Sequence, residues 1–109
     1  GIYVNVFNIT GPGSLYKRYQ AWAKSSINEN VKSAFEPDLI NGNERNAPII
    51  TVIDGHSHSL SWIGSALGMQ CYPLGVTTFG QSGDPDDLYA EYGLDSTSIS
   101  ATCFGALGL

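Results

Sequence analysis

Residues 49–67 read IITVIDGHSHSLSWIGSAL, and this stretch decides the fold. Its first five residues, 49–53, are almost all apolar, which predicts a strand that is covered on both faces. The Asp-Gly-His that follows predicts a turn. Leu60, Ile63 and Leu67 then recur at helical spacing, so we expect a helix over about residues 59–67. Gly68 is its expected end.

The chain after this helix predicts one more strand and two more helices. Residues 71–76 form an apolar run that Pro73 interrupts, which is typical of a strand at the edge of a sheet or of one with an irregular entry. Residues 84–93 predict a helix that begins at a capping Asp84 and ends at a glycine. Residues 95–107 predict a last helix, with Asp or Ser at its cap.

The chain before the central stretch predicts a strand, a helix and a long loop. Residues 2–9 read IYVNVFNI and alternate β-branched with other types, as strands do. A Gly-Pro-Gly break follows, and Ser14 is the expected cap of a helix over about residues 15–25. Residues 28–48 are polar and rich in turn-forming types, so we expect a surface loop with a short turn.

Strands alternating with helices predict an α/β layered sheet. The chain of 109 residues, 42% of them hydrophobic, is the size of one globular domain, so residues 1–109 are treated as a single domain. Three predicted strands make a small sheet for this class. No apolar run reaches the roughly 20 residues that a membrane helix needs.

The charge is uneven along the chain, with a net value of -5. All five basic residues lie in the first 45 positions, and none follows Arg45. An acidic second half argues against nucleic acid and against anionic lipid as partners, because both require a basic surface. Cys71 and Cys103 have no CxxC spacing, and no secretory signal is visible, so we expect two buried free thiols and a cytoplasmic location.

Three stretches together resemble the C-terminal domain of the transketolase and 2-oxo acid dehydrogenase family of thiamine-diphosphate enzymes. They are residues 49–67, residues 74–92 (LGVTTFGQSGDPDDLYAEY) and residues 93–100 (GLDSTSIS). Residues 4–22 are similar but less specific. The sequences DGHSHSLSW and LGVTTFGQSG are similar to those of the homodimeric branch of the family, the pyruvate dehydrogenase type.

The resemblance implies a three-layer, mostly parallel sheet with helices on both faces, lacking its first strand and helix. The family's thiamine diphosphate and magnesium lie between two other domains, so the resemblance assigns no catalytic, cofactor-binding or metal-binding residue to this chain. It implies a supporting role in dimer assembly. The expected partners are then the remainder of a parent enzyme and a second subunit of a homodimer.

Two segments hold candidates for contact with a ligand or an interface. His56 and His58 flank a strand end and a helix start, where open α/β sheets often bind ligands, but metal binding requires further ligands. The glycines around Gln81 offer an anion nest, although the following acidic residues favour a helix that caps itself. The candidate residues are Asp54, His56, His58, Phe79, Gln81 and Ser82.

Other chemistry receives little support from the sequence. A Ser-His-Asp hydrolase lacks a Gly-x-Ser-x-Gly elbow, and Cys71 has no base near it in sequence. Three functions stay open. The first is a non-catalytic domain of a thiamine-diphosphate enzyme, the second a stand-alone interaction module of the same fold, and the third a small-molecule or metal-binding domain around Asp54, His56 and His58.

Overall fold

A computed structural model of the chain describes residues 2–29, 35, 37, 40, 44–76 and 90–109. The chain forms two compact units, Gly1–Asn41 and Gly42–Leu109. No helix within the described residues has the length and apolar character to cross a membrane. The elements of this part of the chain are α1 (Pro12–Glu29), β1 (Ile49–Val52), α2 (His58–Leu67), β2 (Cys71–Leu74) and α3 (Ser96–Ala106).

The centre of the second unit is a strand-helix-strand unit formed by β1, α2 and β2. The two strands are parallel, and the register pairs Ile49 with Cys71 and Val52 with Leu74. Parallel strands need a crossover connection, and α2 supplies it. The strand and helix predicted from residues 49–67 are therefore confirmed, and β2 lies within the predicted strand. The predicted cover on both faces of β1 is wrong, because Val52 is 45% exposed. The result is a mixed helix and strand fold with a short parallel sheet.

Helix α2 packs on both strands through its apolar side. The side chains of Thr51 and Cys71 share one face of the sheet, and Thr51 Oγ1 lies 3.9 Å from Cys71 Sγ. Gly64 of α2 lies directly over Cys71, so α2 covers this face. The buried apolar residues of the helix are Leu60, Ile63, Ala66 and Leu67.

The C-terminal end of α2 is closed by backbone and side-chain hydrogen bonds. Gly68 has a left-handed backbone with φ of 66°, and the next amide, that of Met69, donates to the Gly64 carbonyl at 2.9 Å. Arg45 donates from its guanidinium to the Leu67 carbonyl at 2.9 Å. A cation at a helix C-terminus satisfies a free carbonyl and also favours the helix dipole. The predicted end at Gly68 is confirmed.

The outer edge of β2 lacks one backbone donor. Ile49 donates to the Gln70 carbonyl at 2.8 Å and Ile53 donates to the Leu74 carbonyl at 3.1 Å, so alternate residues of β2 face β1. Pro73 lies between these positions, and its backbone nitrogen is directed to the opposite side. Because proline has no N–H, it is tolerated at such an outer position, as the sequence predicted.

Helix α3 begins where the sequence predicted. Asp95 has an extended backbone, and its Oδ1 accepts from the Ser98 amide at 3.0 Å. The Ile99 amide donates to the Asp95 carbonyl at 3.0 Å, which starts the helical pattern. Before it, Ala90 and Glu91 are helical and Gly93 has φ of 72°, so the predicted glycine stop is confirmed. The predicted start of that earlier helix, at Asp84, lies outside the described residues.

The described part of the first unit includes α1 and an aromatic cluster. Tyr19 and Trp22, one helical turn apart, stack with ring centroids 5.9 Å apart, and Phe35 meets Tyr19 edge-on at 5.4 Å. Phe35 and Leu15 are buried. Offset and edge-to-face pairs of this kind are the favoured aromatic geometries. These aromatic residues therefore form a small core.

Three expectations about the first unit are wrong. Residues 2–9 are not a strand: they carry no strand hydrogen-bonding pattern, and Tyr3 is 94% exposed. Strand propensity requires neighbours to pair and pack with. Ser14 is not the cap, because α1 begins at Pro12 and Leu15 donates to the Gly11 carbonyl. Helix α1 also runs to Glu29, into the segment that was predicted as a loop.

Candidate functional site

The candidate site lies at the carboxyl ends of β1 and β2, where two connections meet. The amide of Ile53 donates to the Leu74 carbonyl at 3.1 Å, which extends the pairing beyond β1. The amide of Val76 donates to the Gly55 carbonyl at 2.6 Å. These bonds hold the segment after β2 against the Asp-Gly-His turn. Ligands of open α/β sheets bind at this end of the strands.

Gly75 allows the backbone after β2 to lie close to the backbone of the turn after β1. A Cβ built on Gly75 would lie 2.6 Å from the Gly55 carbonyl oxygen and 2.8 Å from both the nitrogen and the Cα of Ser57. These are backbone atoms, which cannot move aside as the end of a side chain can. The close approach therefore requires glycine. Sequence reasoning missed Gly75, although a glycine at a strand end is the signal that could have found it.

His56 and His58 are brought together, and one hydrogen bond organises them. The His58 amide donates to His56 Nδ1 at 3.2 Å, and the two ring centroids are 5.3 Å apart in an edge-on arrangement. Both side chains are exposed, as is that of Asp54. Because Nδ1 accepts a hydrogen bond, a neutral His56 carries its proton on Nε2. The His56 ring is thus tied to the first turn of α2.

Among the described residues, the two histidines lack the further ligands that a metal site needs. His56 Nδ1 is already used by a backbone donor, which leaves Nε2 as the free nitrogen of that ring. Within the part of the chain that the structure describes, no group of three or more His, Cys, Asp or Glu side chains could hold a metal ion. Structural zinc sites need four ligands and catalytic sites need three. The predicted contacts at Phe79, Gln81 and Ser82 lie outside the described residues.

Ser57 lies between the two histidines but is shielded from solvent. It occupies the cap position of α2, is buried, and its side chain makes no capping hydrogen bond. Its backbone carbonyl instead accepts from the Ser61 amide at 3.1 Å. The buried Ser57 thus contributes the backbone against which Gly75 packs.

The half-buried thiol of Cys71 lies under α2. Burial raises the pKa of Cys71, and hydrogen bonds with the Thr51 hydroxyl and the Gly64 backbone oppose this shift without cancelling it. A raised pKa keeps the thiol protonated, whereas nucleophilic cysteines have lowered pKa values. Cys71 and Cys103 are both free thiols, as expected, but each is half-buried and not fully buried.

Comparison with models of known protein families, with curated proteins and with solved structures found no match to this chain.

Proposed function

We propose that the chain is a non-catalytic C-terminal domain of a thiamine-diphosphate-dependent enzyme of the 2-oxo acid dehydrogenase or transketolase type, with a role in dimer assembly. The observation that carries the proposal is the parallel unit of β1, α2 and β2. Its first strand and helix fall on residues 49–67, one of the three stretches of sequence that carry the family resemblance. In this proposal thiamine diphosphate and magnesium are bound by other parts of the parent enzyme.

The start of α3 also supports the proposal. Residues 93–100, which belong to the resemblance, contain the pattern D-x-x-x-I, at which the family's last helix starts. Asp95 and Ile99 of this pattern form the cap and the first helical hydrogen bond of α3. Helix α3 contacts β2, whereas α2 covers the face that carries Cys71. In the proposal, α3 belongs to a second helical layer, which would give the three-layer sheet of this family. The proposed location is cytoplasmic.

A role in assembly is supported by the apolar surface of α3. No residue of α3 is buried. The large apolar side chain of Phe104 is 48% exposed, and that of Leu107, just after the helix, is 47% exposed. Helices in proteins gain most of their stability by packing an apolar side against a neighbour. Contact with a second subunit would bury these side chains.

The direct test is native mass spectrometry of the gene product as a cell makes it, followed by denaturing analysis. We expect this chain within a polypeptide much larger than 11.6 kDa, assembled as a dimer that retains thiamine diphosphate. Dialysis against a chelator should release the cofactor and abolish decarboxylation of a 2-oxo acid. Recovery of the 11.6 kDa chain alone, as a monomer and without the cofactor, would refute the proposal.

The second candidate is a stand-alone interaction module of the same fold. It is favoured by the exposed apolar side chains within residues 3–7, among them Tyr3 at 94% and Val6 at 88% exposure, because neighbouring exposed apolar side chains mark interaction sites. Native mass spectrometry also distinguishes the two candidate functions. The module predicts a natural polypeptide of this size bound to an unrelated protein, with no thiamine diphosphate in the complex.

A further inference from the structure

We draw no further inference here: the strongest candidate, the outer edge of β1 beside the exposed Val52 side chain, carries no proposal because nothing in the part of the chain that the structure describes shows what covers it.

Discussion

Gly64 of α2 lies so close to Cys71 of β2 that a Cβ built on Gly64 would be 2.5 Å from the Cys71 Cβ and 3.0 Å from the Met69 carbonyl oxygen. Such distances are shorter than van der Waals contact between these atoms. The missing side chain at position 64 therefore sets how closely the helix approaches the sheet. Because position 64 has no side chain, the helix backbone also lies over the half-buried Cys71 thiol.

Replacement of Gly64 by alanine should destabilise the second unit. In an open helix position this change stabilises by about 1 kcal/mol, because alanine favours helix more than glycine does. Here the new methyl group must push α2 away from β2, and overpacking costs about 1–3 kcal/mol. We expect a net loss in the free energy of unfolding, measured by urea denaturation. The matched control is Ser65→Ala, an exposed position in the same helix, which should change stability little. Equal or greater stability of Gly64→Ala would contradict the close approach.

Gly75→Ala should destabilise the chain by about 1–3 kcal/mol or more, since its methyl group would overlap the backbone of Gly55 and Ser57. The matched control is Gly55→Ala. Among the described residues, a Cβ at position 55 meets Ile53 Cγ1 alone, at an ordinary 3.8 Å, so this change should stay within about 1 kcal/mol of the parent chain. Thermal unfolding followed by circular dichroism compares the two. If both variants unfold alike, the packing between the two connections is not a determinant of stability.

Asp95→Ala should fray α3, because the Ser98 amide loses the carboxylate that caps it. We expect a lower helical signal in circular dichroism and a lower Tm. Asp95→Asn is the matched control, because asparagine is an equally good capping residue and retains an acceptor oxygen. The cap would have no measurable role if Asp95→Ala kept the parent's helicity.

Stability should also depend on pH through Asp95. Hydrogen bonds from Ser98 lower the pKa of this carboxyl below its ordinary value of 3.8. A lowered pKa in the folded state means that the contribution is present above the ordinary value, and that it is lost as pH falls through the lowered value. The Tm difference between the parent chain and Asp95→Asn should therefore change below about pH 4 and stay constant near neutral pH. A constant difference across the acidic range would contradict the shift.

The Cys71 thiol should react slowly with iodoacetamide. Burial raises the pKa of Cys71 above its ordinary value of 9.0, so less of the reactive thiolate is present near neutral pH. Mass spectrometry of the Cys71 peptide gives the alkylation rate as a function of pH. We expect the inflection of this profile above that of the same peptide in the urea-unfolded chain. The inflection, unlike the rate, does not depend on steric access. An inflection at or below the unfolded value would be inconsistent with the raised pKa.

The second unit was largely predictable because its signals are local. Each signal is carried by residues that lie close together in sequence: the apolar run of β1, the helical spacing of Leu60 and Ile63, and the capping carboxylate of Asp95. Residues 2–9 show the limit of such reasoning. They have the composition of a strand, but strand formation depends on a partner that composition cannot supply.

The position of the candidate site in the fold was predictable from the sequence, but its hydrogen bonds and packing were not. The position of His56 and His58 after β1 follows from the order of strand, turn and helix. The use of His56 Nδ1 by a backbone amide depends on a local rotamer. The packing of Gly75 on the turn joins residues about 20 positions apart, and no spacing pattern encodes it. Arg45, which closes α2 from outside the helix, was missed for the same reason.

Pro73 leaves the outer edge of β2 with one backbone donor fewer than any other residue would give it. Open-ended association through strands requires that each molecule accept a neighbour on two sides. With a donor missing from the β2 side, a strand added on that side would form one hydrogen bond fewer than a strand added on the β1 side. A single ring-closed residue in a strand of four residues thus weakens, at one of its two edges, the repeated strand pairing through which fibrils grow.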